Sequence, residues 1–263
     1  MYEFNYHKPA SLADAAKLLA GEEVKLVAGG MTLVPTLKQR LAKPSDLVDL
    51  AAIGGLKGIK EEGGGVTIGA MARHAEVNRS ADVKRLIPAL AALAGMIGDP
   101  AVRNRGTIGG SVSNNDPAAD YPAALVGLGA TVVTTKREVP AEQFFTGMFE
   151  TALGQEEIVT AVKFPKPQAA AYQKFKNPAS RYAIVGVFVA KTAGGVRVAV
   201  TGAGPCVFRV PAMEAALGKS FSADAIKDIA IPDSGLNSDI HASAEYRAHL
   251  VNVMARRAVA ACA

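Results

Sequence analysis

Two glycine turns carry most of the chemistry legible in this chain. The first is Val27-Ala28-Gly29-Gly30-Met31-Thr32-Leu33, and the second, much later, is Arg105-Gly106-Thr107-Ile108-Gly109-Gly110-Ser111. Adjacent glycines remove the side chains that hold a ligand away, so that several main-chain N–H groups can converge on phosphate oxygens. Hydroxyl residues head the segment after each turn (Thr32; Thr107 and Ser111), and a helix starting there adds its dipole to anion binding. Two such turns predict one bound diphosphate held from both sides by main-chain donors.

The other reactive residue types are sparse. Cys206 and Cys262 stand far apart with no Cys-x-x-Cys neighbour. That excludes a self-contained iron–sulfur cluster or structural zinc site, which need about four ligands at short spacing. The histidines His7, His74, His241 and His249 do not cluster. The net charge of +5 is spread along the chain with acids interleaved, and tryptophan is absent, a pattern that argues against nucleic-acid binding. No run of about eighteen apolar residues occurs, so no transmembrane segment is expected. The first residues lack the layout of a signal peptide. A soluble, cytoplasmic protein is the expectation.

The elements that must position the turns follow from local patterns. Residues 11–20 read as an amphipathic helix capped by Ser11, residues 24–28 as a strand entering the first turn, and residues 32–41 as a helix with Pro35 in its first turn. A strand at 46–50 completes a small αβαβ unit. Residues 56–69 alternate around three glycines as a hairpin. Helical spacing returns at 74–79 and at 83–97, where Leu86, Leu90, Leu93 and Ile97 form a stripe. Strands are expected at 130–135 and 157–165. The segment 166–171 reads as a linker. Beyond it come strands at 172–176, 184–191 and 196–202, then helices at 210–217, 223–230 and 242–260, an antiparallel sheet with helices packed on it.

The motifs Ala28-Gly29-Gly30-Met31-Thr32-Leu33 and Thr107-Ile108-Gly109-Gly110-Ser111, with Asn115-Asp116-Pro117-Ala118-Ala119-Asp120-Tyr121-Pro122 downstream, resemble the FAD-binding medium subunit of molybdenum hydroxylases. That family includes aerobic carbon monoxide dehydrogenase and xanthine dehydrogenase. The likeness runs the length of the chain, through Gly69-Ala70-Met71-Ala72-Arg73-His74, Gly202-Ala203-Gly204-Pro205 and His241-Ala242-Ser243-Ala244-Glu245-Tyr246-Arg247.

The resemblance implies an α+β fold: a two-part FAD-binding domain of the PCMH (vanillyl-alcohol-oxidase-like) type, residues 1–54 and 55–168, then a C-terminal α+β domain with an antiparallel sheet and helices, residues 169–263. It implies FAD held by residues 28–33 on one side and Thr107, Ile108, Gly109, Gly110 and Ser111 on the other, both through backbone donors. It further implies that Asp120 holds the flavin, that Lys176 lies near the isoalloxazine, and that Val159 packs beside the ring where relatives often carry leucine. Ser111 and Met31 depart from the family pattern, which often has asparagine and a small or polar residue there.

By the same likeness, a molybdenum cofactor belongs to a large partner subunit and [2Fe-2S] clusters to a small one, in a dimer of heterotrimers. This chain would relay electrons from the clusters through FAD to an external acceptor. The alternatives are a free-standing flavin oxidase, with His74 or Tyr182 as base, and a non-catalytic nucleotide-binding scaffold. On plainer readings Asp120 caps the helix behind it, Lys176 is a surface lysine, Arg103 and Arg105 tie their loop or face a partner, and Tyr182 packs between strands.

Overall fold

A helix between two strands leaves them parallel, because a hairpin is too short to hold it. Strands Val24–Val27 and Asp46–Asp49 are joined in this way through helix Leu33–Lys38, and the computed structural model, which describes residues 1–262, pairs them in parallel. A third parallel strand, Asn5–His7, adds to the far side of Asp46–Asp49; its three polar residues gave no strand signal in the sequence. Helix Leu12–Leu19 starts at Ser11, whose side chain accepts from the Asp14 N–H, and buries Ala15 against Val48, Leu50, Met71 and Ile158.

The second sheet is antiparallel, in the spatial order Ile59–Glu62, Gly65–Gly69, Val159–Pro165, Thr131–Thr134, Glu138–Pro140. Its first hairpin turns through Gly63 and Gly64, both at positive φ (60° and 76°), the conformation a two-residue hairpin loop demands. Pairing of Val159–Pro165 with Thr131–Thr134 is irregular between Val159 and Ala161. Such a bulge re-aims a side chain, here that of Val159.

The single helix expected over 83–97 is two, Ala81–Leu86 and Pro88–Gly95. Pro88 lacks an N–H and forbids helical geometry at the residue before it, so Ile87 sits at φ −142°, ψ 68°. Helix Tyr121–Leu128 is buried along its whole length.

The third sheet is an antiparallel meander of Ala169–Lys176, Ala183–Thr192, Gly195–Thr201 and Phe208–Arg209. Its first strand begins at Ala169, so the expected linker at 166–171 is cut to 166–168. The ladder to Lys191 and Ala190 overrides the weak β preference of the alanines. Val187 and Val189 face the long helix Ala244–Ala261, whereas Phe188 and Ala190 join the core around Tyr121–Leu128. The helix expected at 223–230 shrinks to a 3₁₀ turn, Ala223–Ile226. The Asn252 side-chain amide on the long helix donates to the carbonyls of Ile226 and Ile229, taking acceptors that a longer helix would use.

Candidate functional site

The two glycine turns meet. A Cβ built on Gly29 would lie 2.2 Å from the Arg105 carbonyl oxygen and 2.8 Å from the Gly106 Cα, so only glycine admits this approach of backbone to backbone. Gly30 adds a positive φ of 74°. Together the turns form one wall of a cleft of about 620 Å³, within the range of small-molecule sites.

Their amides are used differently. The N–H groups of Gly29, Gly30, Met31, Thr32 and Leu33 have no acceptor among the described residues, and the first intrahelical bond of the following helix is Val34 N–H to the Gly30 carbonyl. The second turn has spent most of its donors, and only the Thr107 N–H is left without an acceptor among the described residues. Ile108 N–H goes to the Ala72 carbonyl (3.0 Å), Gly109 N–H to Ala70 (2.8 Å) and Ser111 N–H to Thr107 (3.0 Å). Gly110 N–H goes to Thr107 Oγ1 (3.2 Å), the cap of helix Ile108–Asn114. The expectation of backbone donors on both sides is therefore corrected for residues 108–111: the second turn offers shape, the Ser111 hydroxyl and at most the Thr107 N–H, and the first offers a row of amides. The correction has a tertiary cause, since Ala70 and Ala72 lie on a segment 35 or more positions upstream of their partners and claim the amides by pairing.

Of the residues expected at the site, Ala28 to Leu33, Thr107, Gly109, Gly110, Ser111, Asp120 and Val159 line the cleft. Ile108 does not; its side chain is fully buried in the core behind the turn. Lys176 does not either: it is exposed at the end of its strand. The lysine that reaches Asp120 is Lys174, whose Nζ lies 2.9 Å from the carboxylate with its side chain 2% exposed. Tyr172 donates its hydroxyl to Asp120 Oδ1 at 2.5 Å, and Lys174 also donates to the Met96 carbonyl. Burial pushes the Asp120 carboxyl above the usual carboxylate range, with Lys174 and the Tyr172 hydroxyl pulling the other way. Asp120 makes no capping bond to the helix behind it, so the plain capping reading fails.

Several cleft residues were not singled out beforehand. Glu157 accepts from Thr134 Oγ1, Arg137 Nε and the Gly154 N–H, at 2.7, 3.0 and 2.9 Å. The Arg137 guanidinium beside it, with the other donors, holds its carboxyl down at about 2, and the next two residues, Ile158 and Val159, line the cleft. Phe149, at φ 57°, stands half exposed at the tip of a small hairpin. Asn115 fixes that hairpin, donating to the carbonyls of Gly147 and Glu150 and accepting from the Phe149 N–H. Tyr182 lines the cleft from the third sheet instead of packing between strands. Arg103 ties its loop as expected, donating to the carbonyls of Ile97 and Gly98.

The chain is similar to known proteins along its whole length. Residues 2–167 match the family model "FAD binding domain in molybdopterin dehydrogenase", and residues 170–262 match "CO dehydrogenase flavoprotein C-terminal domain". The chain is 35% identical to the carbon monoxide dehydrogenase medium chain of Hydrogenophaga pseudoflava, over 97% of this chain and 96% of that one. It is 36% identical to the nicotine 6-hydroxylase medium subunit of Paenarthrobacter nicotinovorans, over 97% and 95%. A solved structure of the Hydrogenophaga pseudoflava carbon monoxide dehydrogenase superposes with a TM-score of 0.90 at 37% identity, covering 99% of this chain and 97% of that one.

Proposed function

The chain belongs to the family of FAD-binding medium subunits of molybdopterin dehydrogenases, and we propose that it carries electrons from iron–sulfur clusters on a small partner subunit to an external acceptor. Its relatives are medium chains of multi-subunit oxidoreductases, and FAD is the cofactor of this subunit type. The molybdenum cofactor belongs to a large partner subunit.

The observation that carries the reading is the approach of Gly29 to Arg105 and Gly106, which brings two turns far apart in sequence onto one cleft. The residues fit the cofactor. A row of unpaired amides at 29–33 suits a diphosphate, and the glycines keep side chains out of its path. We assign the diphosphate to Ala28, Gly29, Gly30, Met31, Thr32 and Leu33. Thr107, Gly109, Gly110 and Ser111 continue the same wall beside them, and Val159 makes an apolar contact near the ring. Asp120 orients the flavin with Lys174 as its fixed counter-charge. When bound, FAD supplies the capacity to take up electrons singly and release them in pairs; the chain binds it, orients it and limits its exposure to water.

No helix among the described residues is long and apolar enough to cross a membrane. We place the protein in the cytoplasm, in a dimer of heterotrimers, and divide it at 54 and 168. Both described cysteines are free, which supports a reducing compartment. The test is purification of the chain with its co-expressed partners, followed by visible spectroscopy and metal analysis. Flavin bands on this chain, with molybdenum and iron on the others, are expected, and the isolated chain should not oxidise substrate. Substrate oxidation by the isolated chain would overturn the assignment.

A further inference from the structure

Two buried polar atoms beside the cleft have no partner among the described residues: His74 Nδ1 and the Tyr121 hydroxyl oxygen. His74 is 4% exposed and Tyr121 fully buried, and their rings pack 5.4 Å apart at 51°. Buried polar groups are met as a rule, by protein or by ordered water. A phenol is a natural donor and a neutral imidazole nitrogen a natural acceptor, so the two orphaned atoms are complementary in kind. Burial, with the Arg103 charge adding to it, holds the His74 imidazole down at about 4, which keeps the ring neutral near pH 7. A neutral ring that accepts at Nδ1 carries its proton on Nε2.

Nε2 lies at the foot of the second glycine turn. A Cβ on Gly106 would come within 2.5 Å of it, and the His74 N–H donates to the Gly106 carbonyl at 3.0 Å. His74 lines the cleft, and its Nε2 has no hydrogen-bond partner among the described residues. This turn is poor in donors: the amides of 108–111 are consumed by Ala70, Ala72 and Thr107, which leaves the Thr107 N–H alone without an acceptor among the described residues.

We infer that His74 is a cofactor-binding residue, its Nε2–H donating to a phosphate oxygen of the dinucleotide from the foot of the second glycine turn. The inference rests on the FAD assignment above and adds a side-chain donor to a turn whose amides at 108–111 are spent. Tyr121 acts through His74, as the group that fixes its tautomer. Gly106 is glycine because the imidazole occupies the space of a Cβ.

The experiment is nitrogen NMR of the full chain labelled at histidine, titrated with ADP as the diphosphate probe and with riboflavin as a control. His74 should resonate as the Nε2–H tautomer, shift with ADP and not with riboflavin. His74→Ala should weaken ADP and FAD about tenfold, the loss of one hydrogen bond to a charged acceptor, and leave riboflavin binding unchanged. Tyr121→Phe should move the tautomer balance. Wild-type protein that binds FAD and ADP while the His74 nitrogens stay still overturns the inference and spares the FAD assignment, whether or not His74→Ala folds. Wild-type protein that takes up no FAD overturns both.

Discussion

A buried carboxylate keeps its charge only beside a fixed counter-charge, and Asp120 depends on Lys174 for it. Lys174→Met is expected to cost about 3–5 kcal/mol in urea unfolding, because it strands the acid. The double variant with Asp120→Asn should recover part of that loss; a double variant as unstable as the single would contradict the pairing. Glu157 acts on stability through pH. Its folded pKa of about 2 lies below the ordinary 4.5, so its contribution is complete above 4.5 and is lost as pH falls toward 2. Glu157→Gln should therefore be less stable than wild type at pH 7, with the gap closing between pH 4.5 and 2; a gap constant over that window would refute the role. Asp120 was legible in the sequence because it sits in a polar, proline-marked stretch, but its partner Lys174 was not singled out, and Lys176, two residues on, was expected near the flavin instead. Lys174 and Lys176 would share a face of a regular strand, yet the register shifts between Phe175 and Lys176 and turns the second lysine away. A bulge of this kind leaves no mark in composition or alternation.

Between elements, the decisive contact is glycine against backbone. Gly29→Ala would drive a methyl into the Arg105 carbonyl and force the two turns apart. Loss of FAD affinity by at least about tenfold is expected, read by fluorescence titration. Gly64→Ala is the control. Its Cβ meets nothing within 4 Å but its φ is +76°, so it should cost about 1 kcal/mol of stability and leave FAD affinity alone. Equal effects of the two on binding would contradict the approach. Local chemistry made the Ser11 and Thr107 caps and the Gly63-Gly64 hairpin readable, because each acts within a few residues. Consumption of the second turn's amides was not readable, since pairing with Ala70 and Ala72 is a tertiary fact. Pro88 was an overlooked stop signal: the leucine stripe ran through it.

Across the molecule, the third sheet joins the FAD-binding part by sharing its core. Gly127 lets the Phe188 ring approach to 2.8 Å of where a Cβ would stand, and Arg197 and Arg209 both reach Glu142 across the same junction. Gly127→Val should overpack this junction by about 1–3 kcal/mol and lower the calorimetric midpoint; an unchanged midpoint would show that the sheets are not coupled there. The order of units was legible from the motifs, whereas the facing of Phe188 and Ala190 toward the first core needed the topology. In the proposed complex, unpaired amides at 29–33 grip a diphosphate while those at 108–111 are already spent. Residue-resolved amide hydrogen exchange of the full protein with and without FAD separates the two turns. FAD should slow exchange at Gly29 through Leu33 and barely change Ile108 through Ser111, which are protected from the start; unaltered exchange at 29–33 in protein that has bound FAD would show that these amides do not hold the diphosphate.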